Sequence, residues 1–277
     1  PARPHISVIL RGKLPPPQLK VENENVLIDG KNLQVPPTAA EIREAASRIQ
    51  PKVVSTPLHI SERLSAATGA TVYLKREDLQ TVRSYKVRGA FNFMLQLTPE
   101  ERSRGVVAAS AGNHAQGFAQ ACNDLGIDGR IIVPRTTPQQ KIQRIRHFGG
   151  ERVTVVIEGS TYDDSSALAK RYAERTGALM VSAFDHPRTI AGQGTIGVEI
   201  RDQLGHDPDY IVVPIGGGGV LAGIAEYARE AMPNTKVIGI EPAGAASMIA
   251  ACSAGKPVEL PEIDSFADGA AVRRAGD

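Results

Sequence analysis

Short runs of β-branched residues alternate with longer amphipathic stretches through most of this chain. From about residue 38 onward, apolar residues stand together in short runs, and between the runs they recur every three or four positions. The runs predict buried strands, and the longer stretches predict helices. Strands are predicted at residues 71–75, 106–109, 131–133, 153–157, 211–213 and 237–240, and helices at 86–97, from 115, 138–148, 162–176 and 220–231. Because strands that alternate with helices form parallel sheets covered on both faces, the pattern predicts an α/β fold.

Two residue pairs predict helix starts, and one glycine-rich segment predicts a connection. Thr38 with Glu41 has the spacing of a capping box, in which side chain and backbone at a helix start satisfy each other. Thr98 with Glu101 repeats that spacing. The glycine-rich residues 192–194 predict a connection between elements.

The first 37 residues differ from the rest of the chain. Prolines cluster at positions 15–17 and 36–37, and the polar segment between them alternates weakly around Asp29-Gly30. An Asp-Gly pair favours a tight hairpin turn. The segment is therefore a short hairpin, an extended arm or a leader, and these alternatives stay open.

Composition and charge exclude several classes of protein. With 42% hydrophobic and 22% charged residues, the 277-residue chain is an ordinary soluble globular protein of one large or two smaller domains. The net charge of +2, without a long run of like charges, argues against nucleic acid or a membrane surface as partner. Cys122 and Cys252 are too few for a disulfide framework and lack the spacing of a zinc site. No apolar run could span a membrane and the proline-rich N-terminus has no apolar signal core, so a cytoplasmic enzyme is expected.

Residues 84–90 contain a candidate for carbonyl chemistry. Lys86 stands at the start of a predicted apolar helix, directly after Tyr85 and two residues before Arg88. A lysine amine attacks an aldehyde only when it is unprotonated, which requires burial or a nearby cation. An exposed lysine on an amphipathic helix is the ordinary alternative, so the case for Lys86 depends on the other segments.

Four consecutive glycines form a candidate phosphate site. Gly216, Gly217, Gly218 and Gly219 lie between a predicted strand and the predicted helix that begins at Val220. Glycine lets successive N–H groups converge, and a helix N-terminus adds partial positive charge, so the turn suits a phosphate. A tight turn without a ligand rarely needs so many glycines.

The same turn also fits a dinucleotide fingerprint. Gly217, Gly219 and Ala222 have the G-x-G-x-x-A spacing after a strand, and Glu241 ends the next strand about 20 residues further on. A nicotinamide-dependent oxidoreductase is therefore an alternative of a different class. It leaves the Lys86 segment unexplained.

Residues 110–117 form a third candidate, again between a strand and a helix. The hydroxyl of Ser110 and the exposed N–H groups of the helix start would suit a carboxylate, and the Asn113 amide could donate to a phenolate-like oxygen. A plain helix cap is an equal alternative. The six histidines show no metal-binding spacing, so no metal site is predicted, and no G-x-S-x-G elbow supports a serine hydrolase.

Together these segments resemble the pyridoxal-phosphate enzymes of the tryptophan-synthase-β fold type (fold type II), and among them the threonine deaminases, also called threonine dehydratases. The resemblance covers nearly everything after residue 50. It is carried by residues 56–58, 74–78, 84–90, 110–117, 191–195, 216–219, 241–245 and 266–272. Each motif alone is unspecific, whereas the combination is specific.

The resemblance implies pyridoxal 5′-phosphate as cofactor and a role for each candidate residue. Lys86 would form the Schiff base with the cofactor and act in catalysis, Tyr85 would place its ring against the cofactor, and Asn113 would bond the cofactor's 3′-oxygen. The cofactor phosphate would be held by the backbone of Gly216, Gly217, Gly218, Gly219 and Val220. The substrate carboxylate would be held by Ser110, Ala111, Gly112 and His114.

The resemblance also implies a domain organisation and a reaction. Two three-layer domains with parallel sheets are expected: a large one of residues 38–91 and 183–277, and a small one of residues 92–182, with residues 1–37 as arm or leader. The expected reaction is α,β-elimination of L-threonine, a small amino acid, to 2-oxobutanoate and ammonia, in isoleucine biosynthesis or threonine catabolism. The expected assembly is a homodimer or homotetramer. A serine dehydratase, another β-elimination or β-replacement lyase, or an inactive truncated homologue are the alternatives.

Three positions depart from the patterns of related families. Ala111 stands where the similar serine racemases carry a second serine that serves as acid and base, which favours elimination over racemisation. Ser247 stands six positions after Glu241, where relatives with a divalent metal carry an acidic residue. The family also continues well beyond Asp277, so the sequence is expected to be a fragment.

Overall fold

The computed structural model describes residues 6–9, 20–22, 25–28 and 31–277, with side chains from residue 35 onward. The strands are β1 (Ile6–Ile9), β2 (Lys20–Glu22), β3 (Asn25–Ile28), β4 (Lys31–Gln34), β5 (Leu58–Ile60), β6 (Tyr73–Lys75), β7 (Val106–Ala109), β8 (Gly129–Val133), β9 (Val153–Ile157), β10 (Leu179–Met180), β11 (Tyr210–Pro214) and β12 (Lys236–Pro242). The helices are α1 (Ala39–Ile49), α2 (Glu62–Thr68), α3 (Lys86–Met94), α4 (Pro99–Arg104), α5 (Asn113–Leu125), α6 (Gln139–Gly149), α7 (Tyr162–Thr176), α8 (Pro187–Leu204), α9 (Gly219–Ala231) and α10 (Ser247–Ala254). Single 3₁₀ turns lie at Glu77–Leu79, Gly150–Arg152 and Ala243–Ala245.

Each strand and helix predicted from periodicity has a counterpart in the structure, and both predicted capping boxes are present. At the start of α4, the Glu101 amide donates to the Thr98 hydroxyl at 3.2 Å, and the Thr98 amide donates to the Glu101 carboxylate at 2.9 Å. The reciprocal bonds at Thr38 and Glu41 measure 3.3 and 2.7 Å. Such caps satisfy amides that the first helical turn leaves without partners, so helix starts of this kind are specified locally.

Of the alternatives left open for the first 37 residues, strand pairing supports the hairpin. Strands β3 and β4 are antiparallel, with Ile28 opposite Lys31, and β2 extends the same sheet. The turn residues Asp29 and Gly30 lie outside the described residues. β1 pairs antiparallel with β12, a pairing for which the sequence of the first 37 residues carried no signal.

The chain folds into two compact units. One unit contains residues 1–43, 184–201 and 206–277, and the other contains residues 44–183 and 202–205. We call them the glycine-loop unit and the lysine unit, after the candidate residues that each contains. The domain boundaries expected from the family resemblance, at residues 92 and 183, stay a prediction.

The lysine unit is a three-layer sandwich. Its sheet has the strand order β10-β7-β8-β9, and all of these strands are parallel. Alternate residues of β7 face opposite layers: Val106 and Ala108 belong to the core formed with α3, α5 and α6, whereas Val107 and Ala109 pack with residues of α7. Because both faces of the sheet are covered, its strands are mostly apolar, which is why they were readable as short β-branched runs.

The glycine-loop unit contains a second sheet of order β1-β12-β11, in which β11 and β12 are parallel. Helix α9 follows β11 directly, so the glycine turn stands at the carboxyl end of a parallel strand. In open α/β sheets, ligands bind at this end of the strands. None of the helices among the described residues has the length and apolar character needed to cross a membrane.

The predicted connection at residues 192–194 is wrong, because these residues lie inside α8. The glycines serve close helix packing. A Cβ at Gly194 would stand 2.8 Å from the carbonyl oxygen of Gly223 on α9, and a Cβ at Gly197 would stand 3.0 Å from the ring of Tyr227. Glycine inside a helix costs about 1 kcal/mol of propensity, which the close approach of α8 to α9 outweighs.

Candidate active site

Lys86 is the first residue of α3. The Ser84 hydroxyl accepts a hydrogen bond from the Lys86 amide at 3.2 Å, and Tyr85, just before the helix, already has helical dihedral angles. The Lys86 side chain reaches residues 181–183, the segment directly after β10 that we call the strand extension, where its Nζ donates to the carbonyl oxygen of Ala183 at 2.7 Å. Nζ also lies 5.4 Å from the centroid of the Tyr85 ring.

The surroundings of the amine favour its neutral form. Burial lowers the pKa of Lys86 to about 8 and raises the pKa of Tyr85 to about 12. At pH 7 about a tenth of Lys86 is therefore unprotonated, compared with less than a thousandth of an ordinary lysine. A lysine with this pKa is available as a nucleophile for carbonyls near neutral pH.

The start of α5 presents free amides beside this lysine. The chain leaves β7 at Ala109, and the Gly112 amide folds back onto the Ser110 hydroxyl at 3.2 Å. Gly112 is the residue before the helix and supplies no side-chain cap, so the first amides of α5, from Asn113 onward, have no acceptor within the helix. Asn113 itself is exposed. The helix dipole and these amides together suit a small anion.

His114 turns its ring into the interior of the lysine unit. The residue is 5% exposed, and its Nε2 lies 2.9 Å from the carbonyl oxygen of Val181. Burial, reinforced by the nearby charge of Lys86, lowers the pKa of His114 to about 4, so the ring is neutral at pH 7. A carbonyl only accepts, which means that Nε2 carries the proton and donates it to Val181. The imidazole is therefore engaged, and the amide of His114 is the group that faces the helix start.

Helices α3 and α5 touch backbone to backbone at the lysine. A Cβ at Gly117 would lie 2.9 Å from both N and Cα of Val87 and 3.1 Å from the carbonyl carbon of Lys86. Gly117 thus allows α5 to lie directly on the first turn of α3. The lysine unit in this way brings together the Lys86 segment and residues 110–114, as the sequence interpretation required.

A buried ion pair fixes the start of α3 from the other side. Arg88 is fully buried and donates from Nε and Nη2 to the two carboxylate oxygens of Glu77, at 2.8 and 2.7 Å. The Glu77 carboxylate also accepts from the Thr56 hydroxyl at 2.5 Å and from the Gln80 amide at 3.3 Å. Two-point pairing of this kind restrains orientation as well as distance. It therefore fixes the position and rotation of the helix that carries Lys86.

In the glycine-loop unit, the four glycines have neighbours where side chains would be. Gly218 has φ of +96°, a left-handed conformation that favours glycine. A Cβ at Gly217 would overlap the ring of Phe184, and a Cβ at Gly219 would overlap its main chain. The packing of Phe184 therefore requires glycine at both positions.

The amides of this loop are available for a ligand. In the part of the chain that the structure describes, no carbonyl or side chain accepts from the N–H groups of Gly217, Gly218, Gly219 or Val220. These groups converge at the start of α9, where the helix dipole adds partial positive charge. The arrangement fits a phosphate dianion.

The dinucleotide alternative needs Glu241 at a ribose, and the structure shows this residue engaged elsewhere. Glu241 is 1% exposed, and its two carboxylate oxygens accept from the amides of Met248 and Ile249 at 2.8 and 2.9 Å, capping α10. Ser247, just before these amides, is also buried. Within the described residues, no group of three or more His, Cys, Asp or Glu side chains could hold a metal ion.

Comparison with known proteins decides between the two cofactor classes. Residues 49–277 match the family of pyridoxal-phosphate dependent enzymes. The chain belongs to this family. Its predicted fold class, the tryptophan-synthase-β-like α/β fold, is confirmed, and the nicotinamide alternative is wrong.

The most similar relatives of this pyridoxal-phosphate dependent chain carry related names. It is 60% identical over 239 residues to the biosynthetic L-threonine dehydratase IlvA of Mycobacterium bovis, covering 86% of this chain and 56% of that protein. Among solved structures, it is similar to the processed form of threonine deaminase isoform 2 from Solanum lycopersicum, with 40% identity and a TM-score of 0.80, covering 97% and 76% of the two chains. It is also similar to maize serine racemase, with 34% identity and a TM-score of 0.83, covering 88% and 72%. The chain thus spans about half the length of the mycobacterial relative.

The residues present fit the family cofactor. The amides at Gly217–Val220 have no acceptor among the described residues, and Lys86 is a half-buried amine of lowered pKa that can react with an aldehyde. Both of these groups were predictable from the sequence, whereas the carbonyls of Ala183 and Val181, which accept from Lys86 and His114, were not. No sequence signal could have found them, since every residue has a carbonyl and only tertiary structure decides which one receives a distant side chain.

Proposed function

We propose that this chain is the pyridoxal-phosphate part of a threonine dehydratase, which eliminates water from L-threonine to an enamine whose hydrolysis gives 2-oxobutanoate and ammonia. The observation that carries the proposal is the half-buried amine of Lys86, docked on the Ala183 carbonyl and of pKa about 8, with the free amides of the α5 start in the same unit. The names of the mycobacterial and tomato relatives support threonine as substrate. Isoleucine biosynthesis is the role that the biosynthetic relatives favour.

The proposed roles follow the geometry of each group. When bound, pyridoxal phosphate supplies an electron sink for the electrons that remain at the substrate α-carbon after proton removal. Lys86 would hold the cofactor through Nζ, and the same Nζ, when it is free, would be the base that takes the substrate α-proton. The amides of Gly216–Val220 would hold the phosphate, and by the family resemblance the Asn113 side chain would donate to the cofactor's 3′-oxygen and the Tyr85 ring would lie against the cofactor.

The substrate carboxylate is assigned to the start of α5. The Ser110 hydroxyl and the amides of Ala111, Asn113 and His114 offer several donors at the helix start, where the Gly112 amide donates to Ser110, and the helix dipole strengthens them. The role of His114 in this set is limited to its amide, because its ring donates to Val181.

The similarity to maize serine racemase suggests racemisation as an alternative function, and Ala111 argues against it. A racemase must deliver a proton to the face opposite the lysine, and a methyl side chain at position 111 carries no transferable proton. Serine dehydratase and β-replacement lyase activities use the same groups and stay as alternatives. An inactive homologue would bind the cofactor and release no keto acid.

Location and assembly belong to the same proposal. Cys122 is a buried and Cys252 an exposed free thiol, as expected in the reducing cytoplasm. A homodimer or homotetramer is proposed from the resemblance to threonine deaminases.

Borohydride reduction tests the assignment. After the protein is loaded with pyridoxal phosphate and reduced, peptide mapping should place the pyridoxyl label on Lys86, and a coupled assay should detect 2-oxobutanoate from threonine. Lys86→Arg should lose both signals, whereas Lys170→Arg, at an exposed position on α7, should keep both. A label on any other lysine would contradict the role of Lys86. A label on Lys86 with keto acid released from serine alone would favour the serine dehydratase.

A further inference from the structure

Three main-chain and side-chain contacts form a closed loop around the Lys86 amine. Nζ of Lys86 donates to the Ala183 carbonyl at 2.7 Å. Two residues earlier in the same strand extension, the Val181 carbonyl accepts from Nε2 of His114 at 2.9 Å. His114 stands on α5, one turn before Gly117, which touches the backbone of Lys86 and Val87. Helix α5 therefore contacts the Lys86 backbone directly through Gly117. Through His114 and Val181 it is also linked to the segment whose Ala183 carbonyl binds the Lys86 amine.

The strand extension depends on His114 for its position. Beyond β10, Val181 is held on one side by its amide, which donates to the Val107 carbonyl at 3.0 Å, and on the other side by the imidazole. Val181 is 2% exposed, so its carbonyl would have no water to replace a lost imidazole donor. A displaced Val181 would move the Ala183 carbonyl, because only one residue separates them.

The imidazole itself is tightly located. Its ring meets the edge of the Phe118 ring at a centroid distance of 6.4 Å and an angle of 64°, within the core shared by α3 and α5. A neutral ring in a packed core keeps one tautomer, with the proton on the nitrogen that faces Val181. Its hydrogen bond is therefore a fixed structural link between α5 and the strand extension.

We propose that the side chain of His114 is a positioning residue for Lys86: by holding the Val181 carbonyl it places the Ala183 carbonyl, which docks the lysine amine while that amine is not joined to the cofactor. This rests on the proposed function. It assigns the ring a task separate from binding the substrate carboxylate, for which the amide of the same residue is used. Ala183 supplies only its carbonyl, so the side chain at position 183 is not part of the device.

Two variants separate the hydrogen bond from the packing. His114→Gln keeps an N–H donor of similar reach, whereas His114→Phe keeps the ring and removes the donor. Phe118→Leu is the matched control, because it loosens the packing around the imidazole and leaves the hydrogen bond in place. Should His114→Phe not fold, His114→Leu serves as the second donor-free variant.

The first measurement uses cofactor-free protein and does not depend on catalysis. Amide hydrogen exchange in the peptide that contains residues 181–184 should be about five-fold faster in the donor-free variant, which is the factor expected for one lost hydrogen bond. His114→Gln and Phe118→Leu should stay within about two-fold of the wild type. Equal acceleration in all three variants would overturn the proposal, since packing alone would then explain it.

The second measurement follows the lysine. Capture of added pyridoxal phosphate, scored as borohydride-fixed label on Lys86, should be about five-fold slower in His114→Phe and rescued in His114→Gln. In the complete enzyme, kcat for threonine should fall by a similar factor with KM unchanged. Unchanged or faster capture in His114→Phe would overturn the positioning role. A wild-type label away from Lys86 would instead refute the proposed function, while the exchange result would still report on the His114 link.

Discussion

Replacing Lys86 by methionine should make the cofactor-free protein more stable at neutral pH. Burial lowers the pKa of this lysine from 10.5 to about 8. The unfolded chain therefore holds the lysine proton more tightly than the folded one. Below pH 8 both states carry the proton, and the folded state bears the full cost of a buried charge. Between pH 8 and 10.5 only the unfolded lysine is protonated, so stability rises with pH across this window and the cost is gone above it.

The size of the effect follows from the shift. A difference of about 2.5 pH units corresponds to about 3 kcal/mol of destabilisation at pH 7, at 1.36 kcal/mol per unit. Methionine removes this cost but also removes the bond to Ala183, so Lys86→Met should gain up to about 3 kcal/mol at pH 7. The gain should shrink towards zero by pH 10.5. Reactive groups are commonly placed at a cost in stability. The difference in unfolding free energy between wild type and Lys86→Met measures that cost for Lys86.

Urea unfolding of the cofactor-free protein at several pH values measures the difference between the two proteins. Tyr85, with its pKa raised to about 12, and Cys122, whose thiol pKa is raised by burial, also change stability in alkali. Because both residues are present in wild type and variant, their contributions cancel in the difference. Lys170→Met, on the exposed face of α7, is the control and should show no pH-dependent difference. A difference for Lys86→Met that stays constant from pH 7 to 10 would refute the lowered pKa.

Two further predictions concern the scaffold of each unit. Arg88→Met should destabilise the protein by about 3–5 kcal/mol because it leaves the Glu77 carboxylate buried without its cation, and the double variant with Glu77→Gln should cost clearly less than the sum of the single changes. Strictly additive losses in a double-mutant cycle by urea unfolding would show that the pair is not coupled. Gly194→Ala should cost about 1–3 kcal/mol, because its methyl group would meet the α9 carbonyl that α8 approaches, whereas Gly269→Ala, with open space around it, should change stability little. Equal thermal midpoints for these two glycine variants would contradict the packing explanation of the α8 glycines.

Local signals in the sequence were reliable because their physics is local. The capping pair Thr98 and Glu101 interacts within one helical turn, so its spacing alone predicts the start of α4. The strands of the lysine unit are covered on both faces, and their β-branched runs reflect that burial directly. The glycine turn before α9 could be predicted as an anion site because amides at a helix start point the same way whatever surrounds them.

Glycine gave a wrong prediction where the residue that it packs against is distant in sequence. Glycines at 192–194 indicated a connection, yet they lie within α8, and the reason stands about 30 residues away on α9. Phe184 gives a similar case, since its packing against Gly217 and Gly219 has no sequence signature.

The sequence by itself determined the fold class and the order of strands and helices after residue 38, and it predicted the three segments to which we assign the chemistry. The tertiary structure decided how those segments are used. It turned the His114 ring away from the helix start, brought the Ala183 carbonyl to the Lys86 amine, and engaged Glu241 in capping α10. Side-chain direction and the choice of a carbonyl partner depend on which elements pack together, and packing joins residues too far apart in the chain for any local pattern to record.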